Sequence, residues 1–273
     1  VDLKKVKWIA TDIDGTLKPY TAEYHEEERD RLVKLIKNKS ILSIISGRPI
    51  SGALHYAQIY GLSETPIVAC NGALLYHQGN IVKKHAMSGL KPIYSYIKEA
   101  DSLGITTLVT FERTEYCYKE TSWVRKNRKA NDPFPALEDA LFTDAVTQTG
   151  IYKLSLLCES SPKTDKFLLD LQKNLSSNYE VVIYSKYGCE ITAKGVNKAL
   201  GLQELANYLA LPIDAIAAIG DNENDIDMVK LAGVGVAVAN AKASVKQVAN
   251  YICNHEATAG VEEFVEQVIA RNN

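Results

Sequence analysis

The chain has 273 residues, 46% of them apolar and 23% charged, the balance of a globular protein with one large domain or two smaller ones. With 31 Lys and Arg against 33 Asp and Glu the net charge is near −2, which argues against general binding to nucleic acid or a membrane surface. No apolar run approaches the ~20 residues of a membrane span, and the start, Val1-Asp2-Leu3-Lys4-Lys5, lacks the apolar core of a signal peptide.

In chain order, residues 6–11 read as a buried strand that stops at Asp12. A charged amphipathic helix follows over 22–37, with Leu32, Val33, Leu35 and Ile36 as its apolar stripe. Residues 41–45 form a second strand, broken by Ser46-Gly47-Arg48-Pro49. A helix over 49–60 stops at Gly61, and a strand over 67–70 ends in the turn signal Asn71-Gly72. Alternating strands and helices on short connections predict a parallel α/β sheet.

The middle differs in texture. Strands over 105–111, 151–158 and 180–185 separate helical stretches near 89–103 and 162–175, and 130–137 reads as an exposed loop. This predicts an α+β domain at 83–189 inserted into a first domain made of 1–82 plus 190–273, with linkers near 80–88 and 186–192. The first pattern then resumes. A helix over 195–209 precedes a strand over 215–219 that ends at Gly220-Asp221. Further helices are expected over 226–231, 241–249 and 260–270, with strands over 234–238 and 251–253.

Two acidic constellations sit at strand ends. In Asp12-Ile13-Asp14-Gly15-Thr16, positions i and i+2 of extended backbone face one way, so both carboxylates leave the sheet together. Gly15 allows close backbone approach to a ligand. The second is Gly220-Asp221-Asn222-Glu223-Asn224-Asp225, with Asp221 and Asp225 four apart. A simple turn accounts for one Asp-Gly pair, and a helix N-terminus for one extra carboxylate. Neither accounts well for two acidic strand ends in one chain. Ligands bind parallel α/β sheets at the carboxyl ends of the strands, and a set of oxygen ligands suits Mg²⁺. Strands bridged by one ion are near neighbours, since paired strands lie ~4.8 Å apart. The strand at 6–11 is therefore expected beside that at 215–219. Ser46 could donate a hydroxyl to a phosphoryl oxygen, and Lys198 could supply an ammonium, with Lys194 as its competitor.

Together these motifs resemble the haloacid-dehalogenase superfamily of phosphatases, specifically the Cof-type branch with a type IIB cap. The ordered set is Asp12-Ile13-Asp14-Gly15-Thr16, then Ser46-Gly47-Arg48-Pro49, then Gly195-Val196-Asn197-Lys198, then Gly220-Asp221 through Asn224-Asp225. Asn71-Gly72 and Ala232 to Ala237 also look like the branch's sequences. The resemblance covers residues 5–82 and 190–270; the middle matches in position and size. It implies a doubly wound, mostly parallel Rossmann-like sheet with an inserted α+β cap that acts as a lid. It implies Asp12 as nucleophile, forming an aspartyl phosphate, and Asp14 as general acid and then base. Mg²⁺ would be held by Asp12, Asp221, the Asp14 backbone carbonyl and Asp225, the last directly or through water. Thr16, Ser46, Lys198 and Asn224 would bind substrate phosphate.

The expected function is Mg²⁺-dependent hydrolysis of a small-molecule phosphomonoester, such as a sugar phosphate, in the cytoplasm. No nucleic-acid or membrane partner is expected, and the oligomeric state stays open. The alternative is a sugar phosphomutase or phosphotransferase using the same aspartyl phosphate, with the basic run at 125–129 as a second phosphate anchor. A non-catalytic phosphometabolite sensor is a third reading, opposed by the presence of both Asp12 and Asp14. The five cysteines (Cys70, Cys117, Cys158, Cys189, Cys253) are odd in number and widely spaced, so neither a zinc site nor a disulfide framework is expected. No Walker A sequence, G-x-S-x-G elbow or complete dinucleotide fingerprint is present.

Overall fold

The computed structural model describes residues 2–272 apart from 22–23, 38, 40, 88–89, 129–132, 138–149 and 185–187. In chain order the early elements are β1 (Trp8–Thr11), α1 (Glu26–Ile36), β2 (Leu42–Ile45), α2 (Ile50–Ile59), β3 (Ile67–Ala69), β4 (Leu74–His77) and β5 (Asn80–Lys84). The middle holds α3 (Tyr94–Ser102), β6 (Thr106–Thr110), β7 (Glu115–Cys117), α4 (Ser122–Asn127), β8 (Lys153–Leu157), α5 (Pro162–Leu175), β9 (Tyr179–Tyr184) and β10 (Gly188–Ala193). The late elements are α6 (Lys198–Tyr208), β11 (Ile216–Gly220), α7 (Ile226–Leu231), β12 (Val234–Ala237), α8 (Ala243–Lys246), β13 (Tyr251–Ile252) and α9 (Ala257–Asn272).

The chain divides into two compact units. One comprises Val1–Arg48, Ala53–Lys83 and Asn197–Asn273; the other comprises Pro49–Gly52 and Lys84–Val196. The return to the first unit thus falls after Val196 rather than near 189. The reason is β10, expected as a linker, which pairs antiparallel with both β8 and β9 in the second unit's sheet.

The first unit is built on an eight-stranded sheet in the order β13-β12-β11-β1-β2-β3-β4-β5. From β13 to β3 the pairing is parallel. Strands buried on both faces need uniformly apolar sequences. β12 and β11 (Ile216-Ala217-Ala218-Ile219-Gly220) meet this with every residue buried; β2 is equally buried, and its one polar residue, Ser43, accepts the Trp8 indole N–H (3.0 Å). Helices α1 and α9 pack together, with Arg31 bonded to Glu262 across the pair, while α6 packs on α7 and on β2 to β4. The expected neighbours are found side by side: β1 runs parallel to β11 in the register Trp8↔Ile216 to Thr11↔Ile219. β1 leads through β2 and β3 towards one edge, and β11 leads through β12 and β13 towards the other. The order reverses between β1 and β11, so their carboxyl ends open onto the crevice where doubly wound sheets bind ligands.

The sheet extends further than expected. β4 turns back antiparallel on β3, and β5 follows through Gln78-Gly79, whose φ values are +48° and +86°. Two successive positive φ angles are those of a tight hairpin turn.

The second unit has a five-stranded antiparallel sheet in the order β7-β6-β8-β10-β9. Alternation sends Val109, Leu154, Leu156 and Ile191 into a core with Ile97, Phe167, Leu168 and Leu171 from α3 and α5. The residues between them turn to the opposite face, where Lys153 pairs with Glu115 at 3.1 Å and Glu190 at 2.7 Å. The stretch expected as an exposed loop is partly anchored. Phe134 and Leu137 are buried, and Phe134 packs edge-on against Trp123; residues 130–132 lie outside the described ones, as does Lys129 of the basic run. Among the described residues no helix is long and apolar enough to cross a membrane. All five cysteines are free, four of them buried.

Candidate active site

The site begins where β1 ends. The Asp12 amide still donates to the Ile219 carbonyl (3.0 Å), extending the β1–β11 ladder by one residue. The chain then folds back in a tight turn, with Leu17 N–H donating to the Asp12 carbonyl (3.2 Å) and Lys18 N–H to the Ile13 carbonyl (2.9 Å). Gly15 makes the turn possible. Its φ is +89°, and a Cβ there would lie 2.4 Å from both Asp221 Oδ2 and the Tyr20 ring. Gly15→Ala is therefore expected to cost about 1–3 kcal/mol in stability, measured by urea unfolding. Its activity should fall too, because the clash is against a site carboxylate.

Asp221 stands at the end of β11, beside Asp12. Gly220 before it lets Asp225 fold back, since a Cβ at 220 would come within 2.4 Å of the Asp225 Cβ. Asp225 Oδ2 then accepts the amides of Asp221 (2.9 Å) and Asn222 (3.0 Å). One ligand-capable oxygen each of Asp12, Asp221 and Asp225 lies within 4.8 Å of the others, and all three residues are buried. Asp14 is outside this trio. Its carboxylate turns to Arg48, with Nε at 2.6 Å and a second guanidinium nitrogen at 2.9 Å, and to Lys18 Nζ at 3.3 Å.

Lys198 comes from the first turn of α6. Asn197 caps that helix by accepting the Leu200 amide (3.0 Å). The helix can approach the sheet's end because two glycines face each other: a Cβ on Gly201 would lie 2.8 Å from the Gly72 Cα. Lys198 is 1% exposed, and its ammonium donates to Asp12 Oδ1 (2.7 Å) and Asp225 Oδ1 (2.6 Å). Lys194, its competitor in the sequence, donates instead to the Ser176 carbonyl at an exposed position of the second unit.

The remaining candidates are also located. Thr16 is fully buried and donates its hydroxyl to Asp221 Oδ1 (2.7 Å). Ser46 follows β2 directly, is 1% exposed, and its Oγ accepts the Arg48 amide (3.1 Å). Asn224 Nδ2 donates to Asn71 Oδ1 (3.0 Å), and Asn71 is itself buried with φ +53°. Three contacts were not expected from the sequence: Lys18 and Arg48 on Asp14, and Tyr20, whose hydroxyl donates to Asp221 Oδ2 (2.8 Å). Spacing offers a faint signal for two of them, since Lys18 is four residues after Asp14 and Arg48 two after Ser46. Tyr20 carries none.

The electrostatics follow from this crowding. Burial raises the Asp12 pKa well above the usual carboxylate range, and the charges of Asp225, Asp221 and Asp14 add to it, against the opposing pull of Lys198. Asp221 is pushed up to about 7 by burial and by Asp225, although the Thr16 and Tyr20 hydroxyls favour its ionised form. Lys198 moves the other way from what burial alone would do: Asp12 and Asp225 outweigh desolvation and hold its proton more firmly. Burial would raise Asp14 as well, but Arg48 and Lys18 outweigh it and hold the carboxyl at about 2. Asp14 thus rests as a carboxylate, the form a general base needs; acting as an acid requires those ion pairs to loosen.

With all three carboxylates ionised, as a bound cation would make them, one ammonium leaves two negative charges in surplus. An all-oxygen donor set with that surplus fits a hard divalent cation such as Mg²⁺. Asp12 and Asp221 fit best as direct ligands, because Asp225 Oδ2 already accepts two amides and its Oδ1 the Lys198 ammonium, whereas each Asp221 oxygen accepts a single hydroxyl and keeps a lone pair.

The family model for haloacid dehalogenase-like hydrolases matches residues 9–265. The chain belongs to this family. Within the haloacid dehalogenase-like hydrolases it is of the Cof type, and it is a phosphomonoester hydrolase. It is 27% identical over 270 residues to the 5-amino-6-(5-phospho-D-ribitylamino)uracil phosphatase YitU of Bacillus subtilis, covering 95% of this chain and 96% of that one. It is 28% identical over 267 residues to a phosphoglycolate phosphatase of Methanosarcina acetivorans, covering 96% of each. Among solved structures, a HAD/COF-like hydrolase from Plasmodium vivax superposes with a TM-score of 0.84 at 20% identity, covering 98% of this chain and 97% of that chain. A haloacid dehalogenase-like hydrolase from Bacteroides thetaiotaomicron gives 0.79 at 24%, with 96% and 99% covered. At these identities the two structures speak for the shared α/β fold.

Proposed function

We propose that this haloacid dehalogenase-like hydrolase is a Mg²⁺-dependent phosphatase of small-molecule phosphomonoesters that works through an aspartyl phosphate on Asp12. The observation that carries the reading is the buried trio Asp12, Asp221 and Asp225, with Lys198 set between two of them, at the crevice between β1 and β11. Small phosphomonoesters are the substrates for which its relatives are named, including phosphoglycolate and, for YbhA of Escherichia coli, pyridoxal phosphate. The catalytic role belongs to the first compact unit, and the second is its cap.

In this reading an Asp12 carboxylate oxygen attacks phosphorus and the bond to the leaving oxygen breaks. Asp14, having taken up a proton from solvent as its ion pairs with Arg48 and Lys18 loosen, passes that proton to the leaving oxygen, then accepts one from the water that attacks the acyl phosphate. Breaking the bond between phosphorus and Asp12 releases inorganic phosphate and restores the carboxylate. Lys198 offsets charge on Asp12 and on the transferring group. The Ser46 hydroxyl, whose oxygen accepts the Arg48 amide, keeps its proton to donate to a phosphoryl oxygen. Asn224 contributes a second donor to the phosphate. Thr16 acts beside them through Asp221. Bound Mg²⁺, held by Asp12, Asp221 and the Asp14 backbone carbonyl, would neutralise the surplus charge and let two anions meet; Asp225 would orient the set.

Phosphate release from a panel of phosphate esters tests the reading. Activity should vanish in EDTA and return on adding Mg²⁺. A chain equally active in EDTA would refute the metal dependence, and isomerised sugar phosphate without free phosphate would replace hydrolysis by transfer.

A further inference from the structure

Tyr20 lies outside every sequence motif, and the residue as a whole is 58% exposed, yet its hydroxyl turns inward to the site. We infer that Tyr20 is a positioning residue that presets the Asp221 carboxylate for a divalent cation and so sets the cation affinity of the site. The inference rests on the proposed metal role of Asp221.

The geometry supports it from three sides. A carboxylate turns easily about its last side-chain bond, where the torsional wells are broad. Here both oxygens are engaged by hydroxyl donors, Oδ1 by Thr16 at 2.7 Å and Oδ2 by Tyr20 at 2.8 Å, which fixes the plane. Each oxygen has a second lone pair, so the two hydroxyls orient the group without consuming its capacity as a ligand. The phenol is itself held. Asn222 Nδ2 donates to its oxygen at 3.1 Å, and the ring lies so close over Gly15 that no Cβ would fit between them. Asn222 in turn is fixed at the start of a short helical turn, accepting the Glu223 amide at 2.9 Å. The chain Asn222 to Tyr20 to Asp221 is therefore a continuous relay of hydrogen bonds that holds the carboxylate from outside the trio.

Partners of this outer kind change metal affinity by roughly 10- to 100-fold when removed. The competing explanation is that Tyr20 merely caps a buried carboxylate, stabilising the fold with no effect on the cation.

The test is calorimetric titration of Mg²⁺ into the metal-free full-length protein, paired with urea unfolding in EDTA. Tyr20→Phe should weaken Mg²⁺ binding by about 10- to 100-fold, and the Mg²⁺ concentration for half-maximal activity should rise in parallel. Asn222→Ser keeps an oxygen to accept the Glu223 amide but replaces the Nδ2 donor that reaches Tyr20 with a shorter hydroxyl. It should weaken binding in the same direction, and the double variant should be no weaker than Tyr20→Phe alone, because the two act through one group. This second variant keeps the test alive should Tyr20→Phe fold poorly. Wild-type binding with Tyr20→Phe affinity within twofold, or tighter, overturns the inference and leaves the metal site standing. Absence of Mg²⁺ binding by the wild type removes both.

Discussion

Asp12→Asn should lower phosphate release by at least about a thousandfold, the scale of removing a nucleophile, without lowering stability. The substitution keeps the shape of the side chain and replaces a nucleophilic oxygen with an amide. In the metal-free protein it also removes one of three mutually repelling buried carboxylates, and Lys198 retains its bond to Asp225. Urea unfolding in EDTA should therefore show a midpoint equal to or above that of the wild type. If the Asp12→Asn variant kept a tenth of the activity, phosphorus would be attacked by some other group. Loss of activity accompanied by a large fall in stability would mean that the residue is structural.

Lys198→Met should have the opposite stability signature. The ammonium is the sole cation bonded to the trio among the described residues, and its side chain is fully enclosed. Methionine matches its length but leaves Asp12 and Asp225 buried with no countercharge. Breaking a buried ion pair from one side costs about 3–5 kcal/mol, or a fall of roughly 10 °C in Tm for a protein of this size. The loss should be largest in EDTA and smaller in Mg²⁺, because a cation that binds only the folded state restores stability. Activity should fall as well, since nothing then offsets charge on the nucleophile. A destabilisation below about 1 kcal/mol, little more than an exposed ion pair is worth, would show that the carboxylates do not need the lysine. Together the two variants separate chemistry from architecture: one silences the site and spares the fold, the other weakens both.

Much of the first unit is legible because its strands are short and mostly apolar, and two of them, β1 and β11, run directly into an acidic residue. The pairing of β1 with β11 follows from requiring one cation to touch both Asp12 and Asp221. What stays hidden depends on turns. The β4–β5 hairpin is hard to read because its turn is Gln78-Gly79, and Gln is a poor signal for a positive φ compared with Asn or Asp. β10 reads as a linker because Gly188-Cys189-Glu190-Ile191-Thr192-Ala193 mixes Gly, Glu and Thr into a strand whose outward face is polar. Phe134 and Leu137 read as solvent-exposed because Pro and Asn surround them, although aromatic packing holds Phe134 down. The choice of Lys198 over Lys194 cannot come from spacing. It turns on the Asn197 cap and on the contact between Gly72 and Gly201, which are settled only when α6 docks on the sheet. Tyr20 is hidden in the same way, reaching Asp221 only through the path of its loop, while Lys18 and Arg48 leave no more than a faint signal in their spacing.

The adjacency of β1 and β11 also constrains how the molecule can be made. Thr16 and Asp221, bonded to each other in the folded state, are 205 positions apart. At ribosomal speeds of about 5–20 residues per second, roughly 10–40 s pass between the emergence of one and the other. Throughout that interval one side of β1 has no partner strand, while the middle of the chain, whose own sheet draws all five strands from residues 106–193, is free to fold. A nascent chain halted before Ile216 would therefore carry Asp12 and Asp14 without the means to use them, and an open apolar edge that invites association with other chains.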